Sequence, residues 1–476
     1  MTNELTLTGQ WYIPQTHETL PGTLLIIRDK KRIILRLTAL ATEDDPMASV
    51  HAFGHQELIQ GRIDTGGKVL LYDCTFGGPH NYIGQKTEVM VTIGAAFWNL
   101  DIDSAEDLCF QKVSIDFGEI IEWSGLCSYE WEMTEDGNGD RLVWKCEKDV
   151  VFQIDEEVSL RISAQPGSHK MWSYTKELVV SQAVYMFLEY QTERHWKSIE
   201  KDIHALRSLL TLGMSRRIFI DEMQYYHKSN RDPGIPGYIH GASVYLGDEQ
   251  EGRTSSDKGK YRYLFTLDDL TEEGCRCLRN WYDKYERMKP VVELYEAAWN
   301  VPGISAEMLF LNLAQALETY HARFVCDDLK QYVRLVDAFL RETYELEADV
   351  EYSEHEKARR RILINQDEDK SKSIVLKSRL GYLFLARFEY VFSFLDYSRE
   401  DFIERMVHTR NYYTHYSPDK ERLIFPLRKL PYVNGILMAV LQYYMMKEIG
   451  IPDDRIRKKV GMQIEGVMRS YRIMEQ

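Results

Sequence analysis

The string Arg410-Asn411-Tyr412-Tyr413-Thr414-His415 sets a permanent cation five residues ahead of the one side chain that exchanges protons near neutral pH, with a short amide directly after the cation. Such a set suits cleavage of a phosphodiester. Arginine holds phosphate oxygens through two parallel hydrogen bonds, and histidine takes a proton from, or returns one to, a ribose or leaving oxygen. RNA is the substrate class this chemistry favours, because its own 2′-hydroxyl supplies the nucleophile and no metal is required. Arg410, Asn411 and His415 are therefore the candidate catalytic residues.

A helix must present them. From Ser398 to Thr414, Phe402, Ile403, Met406 and Arg410 fall on neighbouring turns, and acidic Glu400, Asp401 and Glu404 crowd the start, where the helix dipole favours negative charge. Ser417-Pro418-Asp419 marks the end, since a proline disfavours helical geometry in the residue before it. In an unbroken helix the five-residue spacing sets Arg410 and His415 about 140° apart; a tightened or fraying terminus would let them converge. An earlier stripe of Leu309, Phe310, Leu313, Ala316, Leu317, Tyr320 and Phe324 predicts another helix, with Glu318 and His321 together on its adjacent face.

The R-N-x-x-x-H string resembles the signature of the HEPN superfamily of helical-bundle ribonucleases, R-x(4–6)-H with Asn often directly after Arg. The segment His408 to Tyr416 looks like its ApeA-type branch. The N-terminal region agrees in the order of Gly9-Gln10-Trp11-Tyr12-Ile13-Pro14, Leu20-Pro21-Gly22-Thr23-Leu24, the Gly61 strand, Val91 to Phe97, and Ile120-Ile121-Glu122-Trp123-Ser124-Gly125. Together these cover most of the chain.

The resemblance implies a bacterial anti-phage defence ribonuclease that halts translation in the infected cell, with host or phage RNA as substrate, transfer RNA being one candidate, and no cofactor or metal. It implies two copies of the motif meeting across a homodimer axis. His415 then acts as general base on the 2′-hydroxyl or as general acid on the departing 5′-oxygen. Arg410 stabilises the phosphorane, and Asn411 orients His415 or binds a phosphate. In HEPN bundles an acidic residue of an earlier helix often contacts the signature Arg, which makes Glu318 a supporting candidate. A related branch carries Tyr two residues after the His. Here Ser417 stands there and Tyr416 one place earlier, so control by modifying that Tyr is not expected, and Tyr416 is kept as a supporting residue.

Bulk properties bound the rest. A chain of 476 residues with 44% hydrophobic content has room for about two to four domains. No charged-then-apolar leader and no uncharged apolar run of spanning length is present, so a cytoplasmic protein with no membrane partner is expected; Leu380 to Leu395 reads as a buried core or interface helix. Seven scattered cysteines lack any C-x-x-C pair, which argues for reduced thiols rather than zinc. Net charge is −15, yet only −1 of it follows Thr271; the acidity belongs to the first half. Local basic clusters remain as RNA contacts, among them Arg359-Arg360-Arg361, Arg422 with Arg428-Lys429, and Arg455 to Lys459.

The fold class expected is α+β multidomain. Residues 1–165 read as a β-rich sandwich or barrel of ApeA N-terminal type, 166–270 as a mixed α/β continuation, and 271–476 as an all-α HEPN bundle. Asp136 to Asp140 predicts a hairpin turn, Glu193 to Leu212 a helix, Arg217 to Tyr226 and Tyr261 to Leu267 strands, and Tyr432 to Met446 a helix suited to a subunit interface. The first half offers other candidate chemistry. Gly247 to Thr254 imitates a phosphate loop but has Arg for Lys and three acids. Trp11, Trp98, Trp123, Trp131 and Trp144 are stacking surfaces or core. The acidic groups Asp101/Asp103/Glu106/Asp107 and Asp155/Glu156/Glu157 are metal sites or exposed turns. A toxic enzyme must be kept silent, so the β-rich half is expected to sense a phage-encoded trigger or inhibitor, or to restrain the nuclease. Two rivals stand beside this reading: a non-catalytic HEPN module that binds RNA or protein, and a ligand-binding β protein whose helices only assemble it.

Overall fold

The computed structural model describes residues 4–14, 17–27, 32–40, 54–82, 86–118, 120–133, 140–145, 148–167, 180–235, 237–246, 263–301, 303–347, 349–366, 373–384, 388, 397–416 and 418–475. Cys146, Ser417, the loop from Gly247 to Gly259, the tip of the turn after Met133 and most of the stretch from Leu385 to Leu395 lie outside them. The chain forms two compact units, one of residues 1–207 and 218–275, the other of residues 208–217 and 276–476.

In the first unit, β1 (Glu4–Ile13), β2 (Glu18–Ile27), β3 (Arg32–Leu40), β4 (His55–Ile63), β5 (Lys68–Tyr82) and β6 (Lys86–Trp98) pair antiparallel in the order β1-β2-β3-β6-β5-β4. Because β4 returns to β1, the ring closes into a six-stranded barrel. Alternation explains what fills it: Trp11, Ile13, Leu24, Ile26, Leu35 and Leu71 point inward at every second position and bury almost completely. Strand β6 serves twice. Its first part, Lys86 to Ile93, pairs with β3, while Ala95 to Trp98 pairs with β14 (Ile239–Leu246), and β5 follows its other edge throughout.

Beyond β14 the antiparallel sheet continues through β13 (Glu222–Arg231), β7 (Cys109–Asp116), β12 (Gln182–His195), β11 (Val158–Pro166) and β10 (Val150–Gln153). Phe110 packs edge-on against Tyr225 at 4.8 Å between ring centroids, and Phe97 meets Trp196 at 5.5 Å, so helix α1 (Trp196–Met214) is anchored by its first residue. A separate hairpin joins β8 (Tyr129–Met133) to β9 (Asp140–Trp144). The strand expected at Tyr261 to Leu267 is instead, in its described part, the entry to a short helix, Leu267–Glu272. Thr266 and Asp269 close a capping box, which fixes a helix start where apolar content alone suggested a strand.

The second unit is helical: α2 (Arg276–Asn300), α3 (Ala306–Tyr320), α4 (Leu329–Thr343), α5 (Glu354–Ile364), α6 (Leu376–Leu383), α7 (Arg399–His415), α8 (Leu430–Ile449) and α9 (Asp453–Glu475). Helix α8 is apolar on all sides and is the core element, with α2, α3 and α9 packed around it. Its length and hydropathy are those of a segment able to cross a bilayer, and the sequence reading that placed it at a subunit interface changes: this chain's own helices cover it. Its polar side chains tie it to neighbouring helices, although Asn434 Oδ1 and Gln442 Oε1 are buried with no hydrogen-bond partner among the described residues. Asn434 donates to Ala306 O at 2.8 Å, Gln442 to the Tyr295 hydroxyl at 3.0 Å, and Glu448 accepts from Lys284 and Tyr320, each at 2.8 Å.

A smaller core joins α4, α5 and α6 around Tyr332, whose hydroxyl lies 2.9 Å from Leu363 O and 3.0 Å from Ser378 O. Next to it α3 widens into a π turn, His321–Val325, that carries His321 into the interior. Arg379, itself buried, donates to His321 Nδ1 at 3.3 Å and to Asp327 at 2.7 Å. Burial first, and the Arg379 cation second, push the His321 imidazole from its usual 6.5 down to about 3.

Two outcomes test this architecture. Trp11 lies directly across from Gly61 in the barrel wall, and a Cβ at Gly61 would run into its ring. Gly61→Ala should therefore lower the thermal midpoint by the equivalent of about 1–3 kcal/mol, read by calorimetry; an unchanged midpoint would mean the wall is not packed as described. His321 is neutral when folded and binds a proton only when unfolded between pH about 3 and 6.5. Its contribution is complete above the unfolded value and declines as pH falls, by up to about 1.4 kcal/mol per unit. His321→Asn, which keeps an acceptor for Arg379, should lose this part of the acid dependence in urea unfolding at pH 7, 5 and 4. Parallel curves for the two proteins would show that His321 is not buried neutral.

Candidate active site

Helix α7 carries the motif, and its boundaries follow from chemistry. Ser398 caps the start by accepting the Asp401 N–H at 3.1 Å, with Glu400 and Asp401 in the first turn. Phe402, Ile403, Met406 and Thr409 form the buried face, which packs on α3 and α6. Thr409 stands out for its use: its hydroxyl accepts the Phe425 N–H at 3.0 Å and so ties the return segment after Pro418 along the helix. Arg405 adds a second tie, donating to Ile424 O at 3.1 Å. Neither residue draws attention in the sequence; the visible signal was only that Thr409 continues the stripe one turn beyond Met406.

Arg410 sits at the edge of the buried face, next to α3. Its Nη2 lies 3.6 Å from Oε2 of Glu318, with 31% and 28% of the two side chains exposed, so this pair is neither sealed nor free in water. That oxygen is closed off from solvent and has no hydrogen-bond partner among the described residues, and 3.6 Å is too long for a hydrogen bond. The carboxylate therefore steers the guanidinium electrostatically and leaves its donors open. Nη1 donates weakly to Asn411 Oδ1 at 3.4 Å, so within one chain Asn411 serves the arginine and not His415.

The helix stays regular through His415 and closes at Tyr416, which takes the left-handed conformation at φ 50° and ψ 43°. No tightened terminus brings the two motif ends together. By helical geometry His415 projects about 140° from Arg410, on the solvent side. It is exposed and has no hydrogen-bond partner among the described residues. Between them, Thr414 donates to Arg410 O at 2.7 Å. His321, the other histidine of the α3 face, is fully buried and points into the core, away from any substrate.

The remaining candidates scatter. Lys429 is held over the rings of Tyr397 and Tyr471, 5.3 Å from each centroid. Tyr397 precedes the start of α7, about 20 Å of helical rise before Arg410. Arg422 and Arg428 are exposed on the return segment. Arg360 is paired with Asp337 at 2.7 Å, and Arg457 with Asp453 at 2.6 Å.

In the first unit the tryptophans divide: Trp11 and Trp123 are core, while Trp131 and Trp144 are 72% and 63% exposed on the β8–β9 hairpin. Asp155 closes a turn by accepting the N–H groups of Glu157 and Val158, and Glu157 pairs with Arg194. A cavity of about 250 Å³ opens by β1, β4 and β5, lined by Gln10, Tyr12 and Arg62, by the paired Lys68 and Asp101, and by apolar Val69, Leu100 and Ile102.

The arrangement provides a steered cation and an exposed proton carrier on one helix end, facing different directions. Comparison with known proteins places both units. Residues 6–281 match the family described as ApeA N-terminal domain 1, and residues 311–455, which include Glu318, Arg410 and His415, match the Apea-like HEPN domain. No curated protein and no solved structure matches the chain. With an ApeA N-terminal domain ahead of an Apea-like HEPN domain, the chain belongs to the ApeA-type HEPN proteins of anti-phage defence.

Proposed function

We propose that this protein is an endoribonuclease that cleaves RNA without a metal ion, using Arg410 and His415 contributed by two copies of the chain. One observation carries the reading: Arg410 is steered by Glu318 with donors left open, while His415 of the same chain faces solvent about 140° away. A single chain divides the cation from the proton carrier, and a homodimer that turns two α7 ends toward each other reunites them. The imidazole of one copy then removes the 2′-hydroxyl proton as that oxygen attacks phosphorus and returns it to the departing 5′-oxygen, while the guanidinium of the other copy offsets the charge that builds on the phosphorane. The products carry 2′,3′-cyclic phosphate and 5′-hydroxyl ends.

In the cell this is an abortive-infection activity in the cytoplasm, consistent with the free thiols of Cys74, Cys109, Cys127, Cys275, Cys277 and Cys326. Transfer RNA is the substrate we assign, since its loss stops translation. The N-terminal domain senses a phage-encoded trigger or restrains the nuclease. The cavity beside β1, β4 and β5 supports the sensing role, because its wall sets Gln10, Tyr12 and Arg62 beside apolar Val69, Leu100 and Ile102, the mixed lining that small-ligand sites use.

His415→Ala should fold normally, being exposed, and should lower cleavage of a transfer RNA pool by about 100- to 10,000-fold in EDTA; undiminished cleavage would leave a non-catalytic binding module. Arg410→Lys keeps the charge but not the paired donors, and should also fall well below the intact protein. Mixing Arg410→Ala with His415→Ala chains tests the shared site. Each variant alone is expected to be inactive, and the mixture should recover part of the activity. A mixture as inactive as its parts would show that Arg410 and His415 act within one chain.

A further inference from the structure

Three tyrosines surround the end of α7 beside the motif. Tyr412, Tyr413 and Tyr416 pack on one another with ring centroids 5.3, 5.6 and 6.2 Å apart, all at steep angles. Tyr416 is 65% exposed, Tyr412 and Tyr413 are half-buried behind it, and none of the three hydroxyls has a hydrogen-bond partner among the described residues. By helical geometry Tyr412 stands about 60° from His415, and Tyr413 about 60° from Arg410. The rings thus fill the arc that leads from the imidazole round to the guanidinium, while Asn411 and Thr414 fill the other.

Ordinary helix termination does not explain the residue at this position. Tyr416 occupies the left-handed capping conformation, where glycine or asparagine fits without strain and a tyrosine side chain does not. Its contact with Tyr412 would be supplied equally by a leucine. What tyrosine adds is a flat, exposed aromatic face one residue from His415, backed by two further rings that hold it in place.

We propose that Tyr416, supported by Tyr412 and Tyr413, is a stacking platform for an unpaired nucleobase next to the bound phosphate, so that the site takes single-stranded RNA. Stacking needs no base identity, since every base has a π face, and a duplex cannot offer one. The platform rests on the assignment of RNA to Arg410 and His415. Part of the grip on RNA is then on bases and not on phosphates.

The test measures binding in the His415→Ala background, with a single-stranded RNA oligonucleotide carrying 2-aminopurine as probe. Tyr416→Phe should keep both affinity and fluorescence quenching. Tyr416→Leu and Tyr416→Gly should weaken binding by about 5- to 150-fold and lose the quenching, with thermal midpoints no lower than the parent's. Equal affinity and quenching in all four proteins would overturn the platform. So would losses that follow falling thermal midpoints, which would make Tyr416 a structural cap. Cleavage by the intact protein is scored separately: Tyr416-dependent quenching without any cleavage would retain the platform and remove the ribonuclease assignment.

Discussion

The position of Arg410 depends on a carboxylate that approaches it without binding it fully. At 3.6 Å, Glu318 limits where the guanidinium can point, yet the separation is too long to occupy its donors. A half-exposed pair of this kind contributes about 0–1 kcal/mol to stability, so its value is geometric. Everything that sets the distance is helix packing. Helix α3 is fixed on α8, α8 is fixed by its apolar surface and by Asn434, Gln442 and Glu448, and α7 is laid on α3 by Phe402, Ile403 and Met406. A site made from one charge on each of two helices is only as well defined as the core between them.

The motif helix was legible because its signals are local. Ser398, the acidic first turn, the stripe of Phe402, Ile403 and Met406 and the proline after Ser417 each act within a turn or two, and together they bracket Arg399–His415 closely. Glu318 stood out locally only as a polar position beside an apolar stripe; its pairing with Arg410 was an expectation of the family resemblance. What the sequence hid is long-range. The barrel closes through β4 on β1, partners separated by about fifty residues, and no local pattern names that pairing. Helix α8 was misplaced because an all-apolar surface reads alike in a core, an interface and a bilayer; only the surrounding helices decide. The strand expected before Leu267 failed because a capping box outweighed apolar content.

His321 and His415 show how environment separates identical side chains. One is taken inward by a π turn and held beside a buried arginine, where its proton is lost. The other stands on the last turn of a surface helix and remains in water. The widened turn after Tyr320 takes the first out of reach of anything at the surface. The tyrosines around the second follow the opposite course, leaving ring surface in water at the one place where the helix end would tolerate glycine.

Strand β6 has a consequence for how the N-terminal unit behaves as a material. Its first eight residues close the barrel and its last four carry the open sheet, with Gly94 between them and β5 running the full length behind. The two ladders use different residues of one continuous strand, and β5 spans both. Opening of amides in the barrel and in the open sheet is expected to be coupled through that strand, so that a ligand tightening one should slow hydrogen exchange in both. The shared strand makes β6 the one element, among the described residues, through which the barrel and the open sheet are joined edge to edge.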